Sequence, residues 1–214
     1  MTRLAIKTCG LSTPETVDAA IGAGASHVGF VFFPKSPRHV EAERAGALAM
    51  RVPAHVERVG VTVDPDDALL DTIVRAAGLT AIQLHGQETP ERVATIRRRL
   101  GIPVWKAIAV KTRPDLDAGA AYVGAADLLL YDAKTPKGAD LPGGMGLRFD
   151  WTLLRDFRPP MPWGLSGGLD PANVAQAITV TGAPLVDVSS GIESAPGIKD
   201  VDKIAAFCNA ASLW

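Results

Sequence analysis

Four side chains in this sequence are of types that move protons or hold anions: Cys9, Arg38, His85 and Asp132. Each lies where an apolar run gives way to a loop. A thiol and a carboxylic acid that face one another across a cleft suit proton shuttling on a small molecule. The last quarter of the chain adds a place for an anion. Gly164-Leu165-Ser166-Gly167-Gly168 and Val186-Asp187-Val188-Ser189-Ser190-Gly191 each end an apolar run in small residues and then yield to a helical pattern. Small residues let backbone N–H groups approach a ligand, and a helix N-terminus adds about half a positive charge, so two such ends side by side form an anion cup. Each residue also has a plainer reading. A lone cysteine is usually packing, Asp132 could cap a turn, Arg38 could serve a surface ion pair, and the His85 ring could bond a neighbouring carbonyl as readily as a ligand.

The elements that must position these groups alternate strictly. Strand-like runs occur at Leu4–Thr8, His27–Phe32, Val59–Val63, Ala81–Leu84, Val104–Ile108 and Asp127–Tyr131, then in the two runs above. Helical patterns follow them: from the Ser12-Thr13-Pro14-Glu15 capping-box signature to Gly22, from Glu41 to Met50, from Asp64-Pro65-Asp66 to Gly78, and from Thr89-Pro90 to Leu100. A short helix is expected around Leu116 to Val123, another near Trp151 to Phe157 after a Gly/Pro-rich loop from Thr135 to Gly146, and a closing one over Val201–Ala211. Eight strand–helix units of about 27 residues each predict a single-domain (β/α)₈ barrel over residues 1–214, with its chemistry at the C-terminal ends of the strands. An open doubly wound sheet would carry its phosphate loop after the first strand. Here Cys9-Gly10-Leu11-Ser12 follows that strand, and the small residues cluster after strands seven and eight. The strand ends then read Cys9, Pro34 to Arg38, Asp64, His85, Lys106, Asp132, Gly167-Gly168 and Ser189-Ser190. Lys7 shares an inward face with Cys9 and needs a partner inside a barrel. Strand eight lies beside strand one, so Asp187 is the expected partner.

Composition narrows the function classes. The chain has 214 residues, 21% charged and 47% hydrophobic, and 22 basic residues against 23 acidic leave a formal net charge of −1. That balance gives no reason to expect nucleic acid or an anionic membrane as a partner. Two cysteines at opposite ends make no disulfide framework, and Cys208 reads as helix packing. The four histidines are scattered, which gives no metal-ligand spacing. With no spanning-length apolar run and no leader-like start, the sequence reads as soluble and cytoplasmic.

Taken in register, these segments resemble the phosphoribosylanthranilate isomerase family of tryptophan synthesis. The resemblance rests on Lys7-Thr8-Cys9-Gly10, Gly29 to Phe32, Ser36 to Val40, Gln83-Leu84-His85-Gly86, Asp132, Gly143-Gly144-Met145-Gly146, Gly167-Gly168-Leu169 with Asn173-Val174, and Asp187 to Gly191. Thr8 and Ser166 depart from residues common in the family. The resemblance implies an Amadori rearrangement of N-(5-phosphoribosyl)anthranilate, without cofactor or metal. It makes Asp132 the general acid and Cys9 the general base, and it places Arg38 on the anthranilate. His85, Gly144, Gly167, Gly168, Ser189, Ser190 and Gly191 become substrate contacts. The expected partner is a small phosphorylated substrate, and the chain is expected to be a monomer or homodimer. Two rivals remain: the related isomerase of histidine synthesis, which uses a carboxylate where this chain has Cys9, and a phosphosugar-binding barrel without catalysis.

Overall fold

A computed structural model describes residues 4–136 and 143–214. Its centre is a closed barrel of eight parallel strands in sequence order, β1-β2-β3-β4-β5-β6-β7-β8. They are β1 (Ala5–Cys9), β2 (His27–Phe32), β3 (Glu57–Thr62), β4 (Ala81–Leu84), β5 (Val104–Val110), β6 (Leu128–Ala133), β7 (Trp163–Leu165) and β8 (Leu185–Val188). Around them lie α1 (Pro14–Gly22), α2 (Ala42–Ala49), α3 (Asp67–Ala77), α4 (Pro90–Leu100), α5 (Arg113–Asp117), α6 (Val174–Thr181) and α7 (Val201–Ser212). The barrel expected from the alternation of elements is therefore the fold observed.

Strand parity decides what fills the barrel. Its floor is apolar, built from Val59, Ala81, Trp105, Leu130 and Leu185 with Ala5 and Leu128 packed against them. Further up, Lys7 and Asp187 meet in register across the β1–β8 seam, and at the mouth Cys9 packs with Val31, Val61 and Phe33. The outward faces pack on the helices in a second, larger cluster that includes Leu70, Ile73, Val93, Ile96, Leu129, Ile178 and Phe207. Cys208 is fully buried in α7, which bears out the packing reading.

Several local expectations need correction. The α1 capping box joins Thr13 to Thr16, not Ser12 to Glu15. Pro14 takes the first helical position, so the cap must be the residue before it and its partner falls at Thr16. The helix expected near Trp151 to Phe157 is a single 3₁₀ turn, Trp151–Leu154. The segment runs at once into Arg158-Pro159-Pro160-Met161-Pro162, and residues preceding proline are held out of the helical region. Lys106 is not on the cavity wall, because its neighbour Trp105 packs inside the barrel and alternation turns Lys106 outward. Its ammonium bonds the Glu88 carboxylate at 3.0 Å and the Gly86 carbonyl at 2.8 Å. A hairpin, β9 (Glu193–Ala195) with β10 (Ile198–Lys199), follows β8 without having been anticipated. Of the loop expected from Thr135 to Gly146, positions 137–142 lie outside the described residues, and so does the start of the chain, positions 1–3.

His27 enters the barrel floor at the start of β2. Its ring centroid lies 5.3 Å from that of Trp105, and its Nδ1 lies 2.8 Å from the Ser26 hydroxyl. Burial, aided by the nearby Lys7 charge, pushes its pKa down from 6.5 to about 4. The folded chain therefore refuses a proton that the unfolded chain accepts below pH 6.5. This costs nothing above pH 6.5 and destabilises the fold progressively as pH falls toward 4. Replacing His27 with Phe should remove that loss. The stability of His27→Phe relative to the parent, from urea unfolding, should rise by roughly 2–3 kcal/mol between the two pH values. Parallel pH curves for the two proteins would contradict the assignment.

Candidate active site

The mouth of the barrel opens into a cavity of about 820 Å³, open solvent included, walled by Cys9, Arg38, Gln83, His85, Asp132, Asp187 and the loops after β6, β7 and β8. Cys9 closes β1 and is 6% exposed. Its thiol has room only because residue 29 on the neighbouring strand is glycine: a Cβ there would stand 2.9 Å from the sulfur. One pleat below, Lys7 Nζ donates to Asp187 Oδ1 at 2.9 Å, with side-chain exposures of 0% and 6%. This is the pair that strand parity predicted. Burial works against the Lys7 charge, but Asp187 and Cys9 together outweigh it and hold the Lys7 pKa up. Burial pushes the Cys9 thiol up, while the Lys7 ammonium pulls it back in part.

Asp132 stands three strands away on β6. Its Oδ1 accepts the Ala133 N–H at 2.9 Å. Its Oδ2 lies 3.0 Å from His85 Nε2. The His85 Nδ1 in turn lies 3.1 Å from the Gln83 amide nitrogen. The His85 ring thus meets a carboxylate where the sequence suggested a neighbouring carbonyl, and it also lines the cavity. Gly167 lets this carboxylate sit where it does. It adopts φ +89°, and a Cβ at that position would lie 2.5 Å from Ala133 N and 2.8 Å from Asp132 Oδ1.

Arg38 is not a surface ion pair. It is buried, with Nε and Nη2 donating to the two oxygens of Glu193 at 2.7 and 2.8 Å. Nη2 also reaches the Gly144 carbonyl at 3.0 Å, and Nη1 lies so close to Gly144 that a Cβ there would stand 2.7 Å from it. At the other end of the mouth, Gly167, Gly168, Ser189 and Ser190 form the cup. Its helical component is smaller than expected. A 3₁₀ turn, Ser190–Ile192, follows β8, and α6 begins only at Val174, after its cap Asn173. Gly191 is not on the cavity wall, because it packs directly against the Leu169 carbonyl and so holds the two loops together.

The sequence pattern described as N-(5'-phosphoribosyl)anthranilate (PRA) isomerase matches residues 6–210. The chain belongs to this family. It is 60% identical over 208 residues to the N-(5'-phosphoribosyl)anthranilate isomerase of Zymomonas mobilis subsp. pomaceae, covering 97% of each chain. It is similar in structure to the phosphoribosylanthranilate isomerase of Thermotoga maritima, with a TM-score of 0.89 and 37% identity over 99% of this chain and all of that one. A further relative, solved in complex with reduced 1-(o-carboxyphenylamino)-1-deoxyribulose 5-phosphate, gives 0.86 and 35% with the same coverage. The resemblance stated from the sequence is thus borne out. Of the three readings left open there, the isomerase of tryptophan synthesis is the one this membership supplies.

Set within this isomerase family, Cys9, Arg38, His85, Asp132, Gly144, Gly167, Gly168, Ser189 and Ser190 line one mouth, whereas Asp64, Lys106 and Gly191 are not on its wall. Sequence reasoning missed Gln83, Glu193 and Lys199 as members of the site. Glu193 and Lys199 lie on the hairpin, whose Pro196-Gly197 turn is a readable signal. No helix among the described residues is long and apolar enough to cross a membrane, and they contain no cluster of potential metal ligands.

The buried pair yields a test. Lys7→Met leaves the Asp187 charge uncompensated and should destabilise the fold by roughly 3–5 kcal/mol. Lys7→Met/Asp187→Leu should regain most of that loss in denaturant unfolding. A Lys7→Met protein as stable as the parent would show that the pair carries no such constraint.

Proposed function

We propose that this chain, as one catalytic domain over residues 1–214, converts N-(5-phosphoribosyl)anthranilate to 1-(2-carboxyphenylamino)-1-deoxyribulose 5-phosphate. The observation that carries the assignment of roles is that Cys9 and Asp132 line one cavity, above a cup of small residues. Asp132 protonates the furanose ring oxygen as the C1–O bond breaks, and the anilino nitrogen supplies the electron pair of the resulting Schiff base. Cys9 then removes the C2 proton, and those electrons neutralise the iminium as an enolamine, which tautomerises to the ketone. Phosphate is held at the cup by backbone N–H groups around Gly168, Ser189 and Ser190. Arg38 meets the anthranilate, with Gly144 beside it. Every proposed group comes from a single chain, so a monomer or a homodimer serves equally well.

For Asp132 to act as an acid it must carry a proton, and His85 is the group that decides where that proton lies. With its own hydrogen on Nδ1, His85 presents an acceptor at Nε2, and a protonated Oδ2 donates across the 3.0 Å separation. That tautomer asks the Gln83 amide to turn its oxygen toward Nδ1. This oxygen is buried and unpartnered in the orientation seen. Gly143 packs against both the Asp132 and the His85 side chains and keeps bulk out of this corner.

Cys9→Ser is the sharpest test of the base. It keeps size and polarity, but a hydroxyl is hardly ionised near neutrality. Turnover, followed as loss of anthranilate-substrate fluorescence, should fall by about 10²–10⁴-fold, as it should in Asp132→Asn, with product affinity nearly unchanged. Thiol alkylation should inactivate the native protein, and substrate should protect it. Near-normal turnover by Cys9→Ser would return Cys9 to a packing role.

The pH dependence follows from the same site. A base must be ionised to work, and burial raises the Cys9 pKa above its ordinary value. The thiolate fraction, read as the rate of Cys9 alkylation, should therefore keep climbing from about pH 7 to pH 9. A profile already level below pH 7 would contradict this ordering.

A further inference from the structure

The hairpin after β8 is not part of the strand–helix repeat, yet its two strands deliver two buried charges beside the mouth, Glu193 and Lys199, that the proposed chemistry leaves unused. Glu193 opens β9 and Lys199 closes β10, with side-chain exposures of 5% and 0%. The Glu193 carboxylate is shared. Oε1 accepts Arg38 Nε at 2.7 Å and Lys199 Nζ at 2.7 Å, and Oε2 accepts Arg38 Nη2 at 2.8 Å. Lys199 continues the chain of contacts, donating to the Ser189 carbonyl at 2.9 Å and lying 3.2 Å from the Ser189 hydroxyl. That hydroxyl reaches the Cys9 carbonyl at 3.2 Å.

We propose that Glu193 is a positioning residue for the reaction, fixing Arg38 over the aromatic end of the site and, through Lys199, the Ser189–Ser190 turn at the phosphate end. The proposal rests on the isomerase reading of this site and assigns its substrate specificity.

Charge and geometry both support it. Two cations share one anion, so the buried group keeps a net charge of +1 beside a site for a substrate that carries a carboxylate and a phosphate. Burial alone would raise the Glu193 pKa, but the Arg38 hydrogen bond and the Lys199 charge outweigh it and hold the carboxylate ionised. The bidentate edge of the guanidinium is spent on Glu193. Arg38 lines the cavity, and what its contacts with Glu193 and Gly144 leave over is Nη1 and the flat face of the guanidinium. Arg38 thus suits an aromatic ring bearing one acceptor better than a second phosphate, which would call for a free fork. A larger substrate with two phosphates is disfavoured by this arrangement.

The test compares Glu193→Gln, Glu193→Asp, Arg38→Ala and the double variant Arg38→Ala/Glu193→Gln. Glu193→Gln should raise KM for N-(5-phosphoribosyl)anthranilate by roughly 10–100-fold, the worth of one or two charge-assisted hydrogen bonds, with kcat changed far less. Glu193→Asp keeps the charge but is one methylene short, so it should fold normally and raise KM in the same direction by less. In the Arg38→Ala background, Glu193→Gln should add little, because its principal client is gone. A parental KM in a folded Glu193→Asp or Glu193→Gln would overturn the proposal, as would effects of Arg38→Ala and Glu193→Gln that simply multiply. If Glu193→Gln does not fold, Glu193→Asp alone decides. A parent protein that does not turn over this substrate at all would instead refute the isomerase reading.

Discussion

The site depends on a buried ion pair. Lys7 and Asp187 face each other at the same level of β1 and β8, the first and last strands of the barrel, and their contact of 2.9 Å lies across the seam that closes it. A barrel interior offers an isolated ammonium no solvation, so a lysine at this position forces an acidic partner on the adjoining strand and ties the register of the two strands together. The same pair is the electrostatic floor of the mouth. Cys9 stands one pleat above Lys7 on the same strand, and Asp187 also lies 3.5 Å from the Ser166 hydroxyl at the end of β7. One interaction thus closes the sheet, sets the potential under the thiol and reaches the start of the cup.

Above this floor the site is assembled from strand ends whose side chains are kept apart by polar contacts and brought close by missing side chains. Asp132 is held by its own strand's next N–H and by His85, and Arg38 by a carboxylate from the far side of β8. Each functional group also lies against a position that carries no Cβ: Gly29 beside Cys9, Gly143 and Gly167 beside Asp132, and Gly144 beside Arg38. The glycines in the sequence are therefore informative in two ways. Some open turns, and these make room for chemistry.

The barrel was legible because its causes are local. Apolar runs, proline and threonine at helix starts, and glycine at helix ends recur unit after unit along the chain. Inward parity along β1 was enough to name both Lys7 and its partner. What remained hidden depends on contacts distant in sequence. His85 could be placed at a strand end, but whether its ring would meet a carbonyl, a ligand or Asp132 depends on β4 and β6 being oriented together by β5 between them. Glu193 lies 155 residues from Arg38, and nothing in the periodicity distinguishes it from any exposed acid. The helix expected at Trp151 failed for a local reason, since three prolines follow within a dozen residues and one buried turn is all the segment can form. The mouth placement of Lys106 failed because Trp105 takes the inward position on β5 and alternation turns Lys106 toward the Tyr122 ring outside the barrel.

If the Lys7–Asp187 pair governs the reactivity of Cys9, the thiol itself should report it. The direct measurement is the ultraviolet titration of the Cys9 thiolate in a Cys208→Ala background, so that a single thiol is observed. It is made with the pair intact and again with both partners replaced by apolar residues of similar size. Lys7 is the larger of the two influences and favours the thiolate. The titration is therefore expected above the ordinary thiol range with the pair present, and higher still without it. A Cys9 that titrates at the same pH in both proteins, or lower once the pair is gone, would contradict the account.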